Sequence, residues 1–434
     1  MIATKDYASD KDFVRRFRDG AIAIARRKRD ECAALLATLP PPSFPMGPRL
    51  SSGGHFTGFF LWDTVFCAMW ARHVQEDAPD LPLLPPLDNL YALAQPDGFI
   101  AKEYTARGGL AFLCDHPIAF APPILSWAEL VMRRENRAPA ARLGRVFPIL
   151  LRHHRACRAR FRRPDGLYVG DPWGCGMDDI PRYPRGITEA EAAAMPGGIR
   201  LTIDCLGEEC RNKWSWMHEH SDHLSWNRQA GWIDMSCQMA FDAYNLAEIA
   251  DILGLADEVA ALRKEHAELS EAINALCWDE ATGFYHDFGP SGIMIRKSAA
   301  AFWAIISRVA TGERLERMVS VIRDERCFNR PIPFPALSAD DPDYEPETAY
   351  WRGAVWPSTN YALLRGLVEC GYKDFAEDAA RRYYNANAEL FEKTGTIWEN
   401  ISPEQCDHVK ERSGPDFCGW GAIAPLALPA EFGW

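Results

Sequence analysis

Gly254-Leu255-Ala256-Asp257-Glu258-Val259-Ala260-Ala261-Leu262-Arg263-Lys264-Glu265-His266-Ala267-Glu268-Leu269-Ser270-Glu271-Ala272-Ile273-Asn274-Ala275-Leu276 is the stretch that decides the fold. Leu255, Val259, Leu262, Leu269, Ile273 and Leu276 recur at 4-3 spacing, with His266 in the one gap. That period places them on one helical face. Glu258, Arg263, Lys264, Glu268 and Glu271 fall on the other face. Met239 to Leu253 reads the same way, and Gly254 is a natural C-cap between the two. The pattern predicts a helical hairpin over 239–253 and 257–277.

The same reading predicts helices over 11–37, 62–76, 86–95, 122–135, 139–161, 297–310, 313–323, 357–370, 373–391 and 418–429. Strand signals are short, around 98–104, 166–169 and 283–288. About twelve amphipathic helices in successive hairpins imply an all-α (α/α)6 barrel, a toroid with short β-hairpins and long loops at one end. Long loops in compact domains tend to carry function. Here they cover roughly 40–58, 164–200, 205–232 and 325–356. No repeat or linker divides the chain, so 1–434 reads as a single catalytic domain with 205–232 as a candidate lid.

The chain has 434 residues, 47% apolar and 25% charged, and a formal charge of −12. This is an ordinary globular composition. The acidic balance argues against nucleic acid as a partner. No apolar run is long enough for a signal peptide or a membrane span. Thirteen cysteines without a CxxC pair fit reduced thiols in a cytoplasm better than a disulfide frame. No Gly-rich phosphate loop follows a strand, so nucleotide binding has no support. No cofactor or metal is expected, and the oligomeric state cannot be read.

Four segments carry candidate chemistry. Gly58-Phe59-Phe60-Leu61-Trp62-Asp63-Thr64 puts a stacking face beside an acceptor at a helix start; Asp63 fits either a helix cap or a ligand for sugar hydroxyls. Asp171-Pro172-Trp173-Gly174-Cys175-Gly176-Met177-Asp178-Asp179-Ile180-Pro181-Arg182 places two adjacent carboxylates in a Gly/Pro-bracketed loop, which a plain turn also explains. Tyr350-Trp351-Arg352-Gly353-Ala354-Val355-Trp356 has neither helical nor strand period. Its aromatic faces suit sugar rings and its Arg and Tyr suit hydroxyls, while a buried aromatic corner is the bland alternative. Glu399 lies between Trp398 and Asn400. Together they supply what glycoside hydrolysis needs: one carboxylic acid to protonate the leaving oxygen and one carboxylate to activate water or attack carbon. Burial against Trp would keep the acid protonated near neutrality.

These segments together resemble glycoside hydrolase family 63, in the (α/α)6 clan that includes the family 37 trehalases. The resemblance rests on Phe60, Trp62, Asp63 and Thr64, with Leu61 inserted; on Trp173, Gly176, Met177 and Asp178; on Tyr350, Trp351, Arg352, Gly353, Val355 and Trp356 with Asn360 and Tyr361; and on Glu399, Asn400, Pro403 and Glu404. It implies that Asp178 is the general acid and Glu399 the general base of an inverting α-glycosidase. It also implies that Trp62, Asp63, Trp351 and Arg352 line the −1 sugar site; Trp173, Tyr350 and Trp356 complete the expected substrate-binding set. In size the chain is similar to the bacterial mannosylglycerate and glucosylglycerate hydrolases of that group, which implies a short α-glucoside or α-mannoside substrate. An inverting pair should stand about 6.5–9.5 Å apart. The chain departs from the family at Gly174-Cys175, where the family has Glu-Ser, and at Asp179, Ala354, Ile401 and Ser402. The missing Glu at 174 bears on the sugar epimer or aglycone accepted and leaves the acid/base pair in place.

Trp214 to His223 carries His218, His220 and His223, which fit a lid or aglycone contact better than a metal site. Arg133 to Arg163 reads as a helix with a solvated basic face, and the turn at Gln95–Ile100 leads to Lys102 and Glu103. Two other functions use the same features. A sugar epimerase would use His218 and His220 as bases. A non-catalytic sugar-binding protein would need no acid/base pair.

Overall fold

The computed structural model describes residues 5–182, 230–347, 350–409 and 412–434, except 41, 43, 45, 51, 54 and 55. They are mostly helical, with three two-stranded antiparallel pairs. The expected hairpin is present as Ile233–Ile252 and Ala256–Leu276, joined at Gly254 with φ 73°. Val259, Leu262, Leu269 and Ile273 are buried, and His266 fills the gap by bonding the Ser307 carbonyl at 2.8 Å. The first helix of the pair starts at Ile233, six residues before its sequence signal. Asp234, Ser236 and Gln238 are buried there, so the polar residues that break the apolar period face inward.

Most other helices match their periodicity: Lys11–Ala37, Leu61–Ala71, Pro85–Ala92, Leu125–Arg134, Ala141–Phe161, Gly312–Arg323, Pro357–Glu369 and Lys373–Thr394. Two do not. The helix expected over 297–310 is a 3-10 turn, Ala299–Phe302, running into one helical turn, Trp303–Ile306, and Arg308 at φ 65° ends it. The helix expected over 418–429 is two short pieces, Ile423–Leu426 and Leu428–Phe432. Pro429 has no N–H to give the Pro425 carbonyl, so a continuous helix would lack that bond, and the chain breaks at Ala427. Strand signals resolve as Glu103–Tyr104, Phe284–Tyr285 and Asp287–Gly289, and at 166–169 as a single bridge from Tyr168 to Arg162.

The chain forms two compact units. The first comprises 1–58, 63–89 and 319–434. Helix Lys11–Ala37 starts from Asp10, whose side chain accepts from the Phe13 N–H at 3.1 Å. Its Phe17 packs on Phe391 and Tyr384 at ring distances of 4.7 and 5.7 Å. Glu431, near the end of the chain, accepts from Arg72 at 2.6 Å, Tyr361 at 2.6 Å and Arg365 at 2.9 Å, so one partly exposed carboxylate ties three helices together. Its pKa is held well below the ordinary value: burial alone would raise it, and His73, the two arginines and Tyr361 override that.

The second unit comprises 59–62 and 90–318. Helix Ile233–Ile252 is its centre, packed by Ala256–Leu276, Leu125–Arg134 and Ala141–Phe161. Two buried polar networks set the register of these helices. Glu129 takes both Arg142 nitrogens at 2.8 and 2.7 Å and the Tyr91 hydroxyl at 2.8 Å. His154 lies between Asp242 at 2.8 Å and Glu265 at 3.3 Å, with the Ser126 hydroxyl also on Asp242. Burial alone would lower the His154 pKa, but its two carboxylate partners lift it to about 9. The folded state therefore favours imidazolium. That stabilisation is complete below the ordinary histidine value of about 6.5 and is lost as pH rises through about 9. Glu265 has the opposite sign: its pKa is depressed, and its contribution disappears as pH falls. We expect the melting temperature to drop by a few degrees between about pH 7 and about pH 9.5, the effect of about 3 kcal/mol on a chain this long. In His154→Gln the slope should vanish and the melting temperature at about pH 6.5 should be lower. An unchanged slope by calorimetry would show that other groups set it.

Among the described residues no helix is long and apolar enough to cross a membrane. The described cysteines are free thiols; Cys205 and Cys210 lie outside the described residues.

Candidate active site

Glu399 is held by short antiparallel bridges within the first unit. Val355 pairs with both Pro335 and Ile401, Ile401 with His408, and Trp398 with Pro415. The ladder brings the Tyr350–Trp356 segment alongside 398–401. Tyr350 donates its hydroxyl to Glu399 Oε1 at 2.7 Å, and the Gly414 N–H donates to Oε2 at 3.1 Å. Each carboxylate oxygen thus has a donor that fixes its direction. A β-carbon at 414 would come within 3.4 Å of Oε2. Trp420 fixes the backbone by donating to the Glu399 carbonyl at 3.0 Å. Three residues past Ile401, Glu404 takes two Arg330 nitrogens at 2.7 and 2.9 Å and the Tyr344 hydroxyl at 2.8 Å. The loop is thus pinned at both ends, and Glu399 is buried.

Trp351 and Trp356 stack on each other, centroids 3.8 Å apart and planes at 4°. Tyr350 meets Trp356 edge-on at 4.5 Å, and the Trp356 indole donates to the Tyr350 carbonyl at 3.2 Å. Trp351 and Trp356 are both almost wholly buried, so the stacked pair is the support on which Tyr350 rests. Arg352 stands 3.7 Å from Glu345 and is partly exposed. Asp63 is the third residue of helix Leu61–Ala71, inside its first turn and not the cap before it, and is buried.

Asp178 lies in the second unit, in a loop built by local rules. Asp171 caps the one-turn helix Pro172–Cys175, accepting from the Trp173 and Gly174 N–H groups at 2.9 and 3.3 Å. Burial pushes the Asp171 carboxyl up to about 6, against the pull of those two N–H groups. Gly176 ends the turn at φ 78°, a conformation glycine adopts without strain. A β-carbon there would sit 2.2 Å from Trp62 Cζ2, so the indole of Trp62 lies directly against the loop two residues before Asp178. Trp173 is partly exposed, with the Lys102 ammonium 5.9 Å from its ring centroid. Asp178 is partly exposed; Asp179 is buried.

Gly174 has a physical reason to be glycine. A β-carbon at this position would meet the Pro117 carbonyl oxygen at 2.6 Å and that of Phe120 at 2.9 Å. These are backbone atoms that cannot rotate away. The Glu expected here by resemblance has no room to start.

The two units therefore each carry a cluster. One gathers Tyr350, Trp351, Trp356 and Glu399; the other gathers Trp62, Trp173 and the Asp178 loop. Gly414 and Trp420, which hold Glu399, had no sequence signal apart from the Ser413-Gly414-Pro415 turn and the nearby aromatics. His218, His220 and His223 and most of the candidate lid over 205–232 lie outside the described residues. Among the described residues no three His, Cys, Asp or Glu side chains group as metal ligands.

Residues 61–417 match a family model described as the mannosylglycerate hydrolase MGH1-like glycoside hydrolase domain. An uncharacterised protein of Borreliella burgdorferi is 25% identical over 324 residues, 74% of this chain and 59% of that one. A mannosylglycerate hydrolase of Rubrobacter radiotolerans is 27% identical over 347 residues, 71% of this chain and 74% of that one. The chain spans only 59–61% of the length of the first curated relatives it matches. The crystal structure of a family 63 mannosylglycerate hydrolase from Thermus thermophilus in complex with Tris is similar with a TM-score of 0.67 at 19% identity, covering 94% of this chain and 99% of that one. At that identity the likeness is one of fold.

Proposed function

The chain belongs to the mannosylglycerate hydrolase MGH1-like glycoside hydrolases of family 63, and from that premise we propose that it hydrolyses a short α-glucoside or α-mannoside with inversion. The observation that carries this reading is Glu399, buried beside Tyr350 and the stacked Trp351–Trp356 pair and aimed by the Tyr350 hydroxyl and the Gly414 N–H. Glu399 takes a proton from water as the water oxygen attacks the anomeric carbon. Asp178 gives a proton to the glycosidic oxygen as its bond to that carbon breaks. The products are the free sugar of inverted configuration and the aglycone alcohol; both carboxyls then exchange protons with solvent. Trp62, Asp63, Trp173, Tyr350, Trp351 and Arg352 bind the sugar, and Trp356 backs them. The helices form an (α/α)6 barrel that acts as one catalytic domain. A cytoplasmic location belongs to the same reading, supported by the free thiols.

The test is a panel of glucosylglycerate, mannosylglycerate, kojibiose, trehalose and glucosylglycerol, with NMR of the first sugar formed. We expect the β-anomer to appear first, from one of the two glycerates. First appearance of the α-anomer would make the mechanism retaining. No sugar release from any member of the panel, with measurable sugar binding, would make the protein a binder and not an enzyme.

A further inference from the structure

Arg182 lies four residues past Asp178 and is almost wholly buried. It donates to both oxygens of Asp287 at 3.0 and 2.9 Å and to Asp234 at 2.6 Å. Its guanidinium lies 4.0 Å from the Trp232 ring centroid, and one nitrogen is 3.6 Å from Cys175 Sγ, back in the turn that opens the same loop. The carboxylates are themselves fixed. Asp234 accepts from the Met235 N–H at 2.9 Å and Asp287 from the Ile233 N–H at 2.8 Å, both at the start of the central helix Ile233–Ile252. One side chain thus joins the turn at Cys175, the chain beyond Asp178, the central helix and the strand Asp287–Gly289.

Stability alone does not explain this cluster. One cation faces two carboxyl groups away from water, and burial pushes the Asp234 carboxyl above its ordinary value, so keeping this cluster charged is costly. Desolvation costs several kcal/mol per ion, and buried ion pairs of this kind are often no more stabilising than apolar packing of the same volume. Their return is fixed geometry. The Asp171 cap, the Gly174 contact and the Gly176–Trp62 contact all act on the loop at or before residue 176. On the other side of Asp178, Arg182 is the anchor.

We propose that Arg182, braced by Asp234 and Asp287, is a positioning residue that sets where Asp178 delivers its proton. The proposal rests on the reading of Asp178 as the general acid. Misplacing a reacting group by about 1 Å can cost about 100-fold in rate, and the loss should fall only on substrates that need the proton. A glycosidic oxygen needs it; fluoride leaves without it.

The experiment compares wild type, Arg182→Lys, Asp234→Asn and Asp178→Asn on mannosylglycerate and glucosylglycerate and on α-mannosyl and α-glucosyl fluoride. In Arg182→Lys and Asp234→Asn we expect kcat on the glycerate to fall about 100-fold, KM to change less than about threefold, and fluoride hydrolysis to stay within about threefold of wild type. Asp234→Asn keeps one acceptor oxygen, for Arg182 or for the Met235 N–H but not for both, and removes the charge that braces the guanidinium, so it decides the matter if the lysine variant does not fold. Equal losses on glycerate and fluoride, or no loss on either, overturn the positioning role. If Asp178→Asn itself shows no difference between the two leaving groups, the acid assignment falls, and the proposal with it.

Discussion

Glu399→Gln is expected to lower turnover by about 10²–10⁴-fold, the range for removing a general base, while the protein melts within a degree or two of wild type. The substitution is structurally mild for a specific reason. Glu399 accepts a donor on each oxygen. The backbone N–H of Gly414 can only donate, so the remaining amide oxygen must turn toward it. The new NH₂ then faces the Tyr350 oxygen, and a phenol hydroxyl can accept as well as donate. Both contacts survive with Tyr350 reversed, and only the capacity to take a proton from water is lost. Steady-state rates on the glycerate substrate, alongside calorimetry, check this. A variant with wild-type turnover would remove Glu399 from catalysis. One that loses turnover through unfolding would show the buried carboxylate to be structural.

Gly174→Glu should do severe damage, although it writes the family's own residue into the chain. The new β-carbon would meet two carbonyl oxygens at 2.6 and 2.9 Å. Forcing extra atoms into a packed site typically costs about 1–3 kcal/mol, and here the yielding partner is the backbone of 117–120 or the loop itself. The carboxylate would enter a region already holding Asp171, whose own carboxyl is buried. We expect a lower melting temperature and a loss of turnover of about 100-fold or more, since the loop that must shift carries Asp178. Gly174→Ala should show the same trend more weakly. Improved activity in Gly174→Glu, measured on the same panel, would mean that the backbone of 117–120 yields and that the glycine is an accident of drift.

Much of the scaffold was legible because amphipathic period reports directly on burial. Lys11–Ala37 and Ala256–Leu276 fall where their spacing puts them. The signal failed where chemistry overrides period. Asp234, Ser236 and Gln238 hide the first turns of the central helix because they are polar and buried. Pro425 and Pro429 split a stretch whose apolar content reads as one helix. Candidate site residues were found by residue type and order. Their supports were not: Gly414, Trp420 and Arg182 act through contacts distant in sequence, and no local pattern marks such a partner. The Gly174 departure is a clear instance. In the sequence it is a missing carboxylate, whereas in space it is a position already filled by two carbonyls.

The bond from Arg182 to Asp234 joins residues 52 positions apart in the sequence. Bringing distant points together costs entropy that grows only logarithmically with separation, about 0.6 kcal/mol per doubling. The contact therefore belongs to the tertiary fold and not to any local element, and it is made only once the central helix is in place.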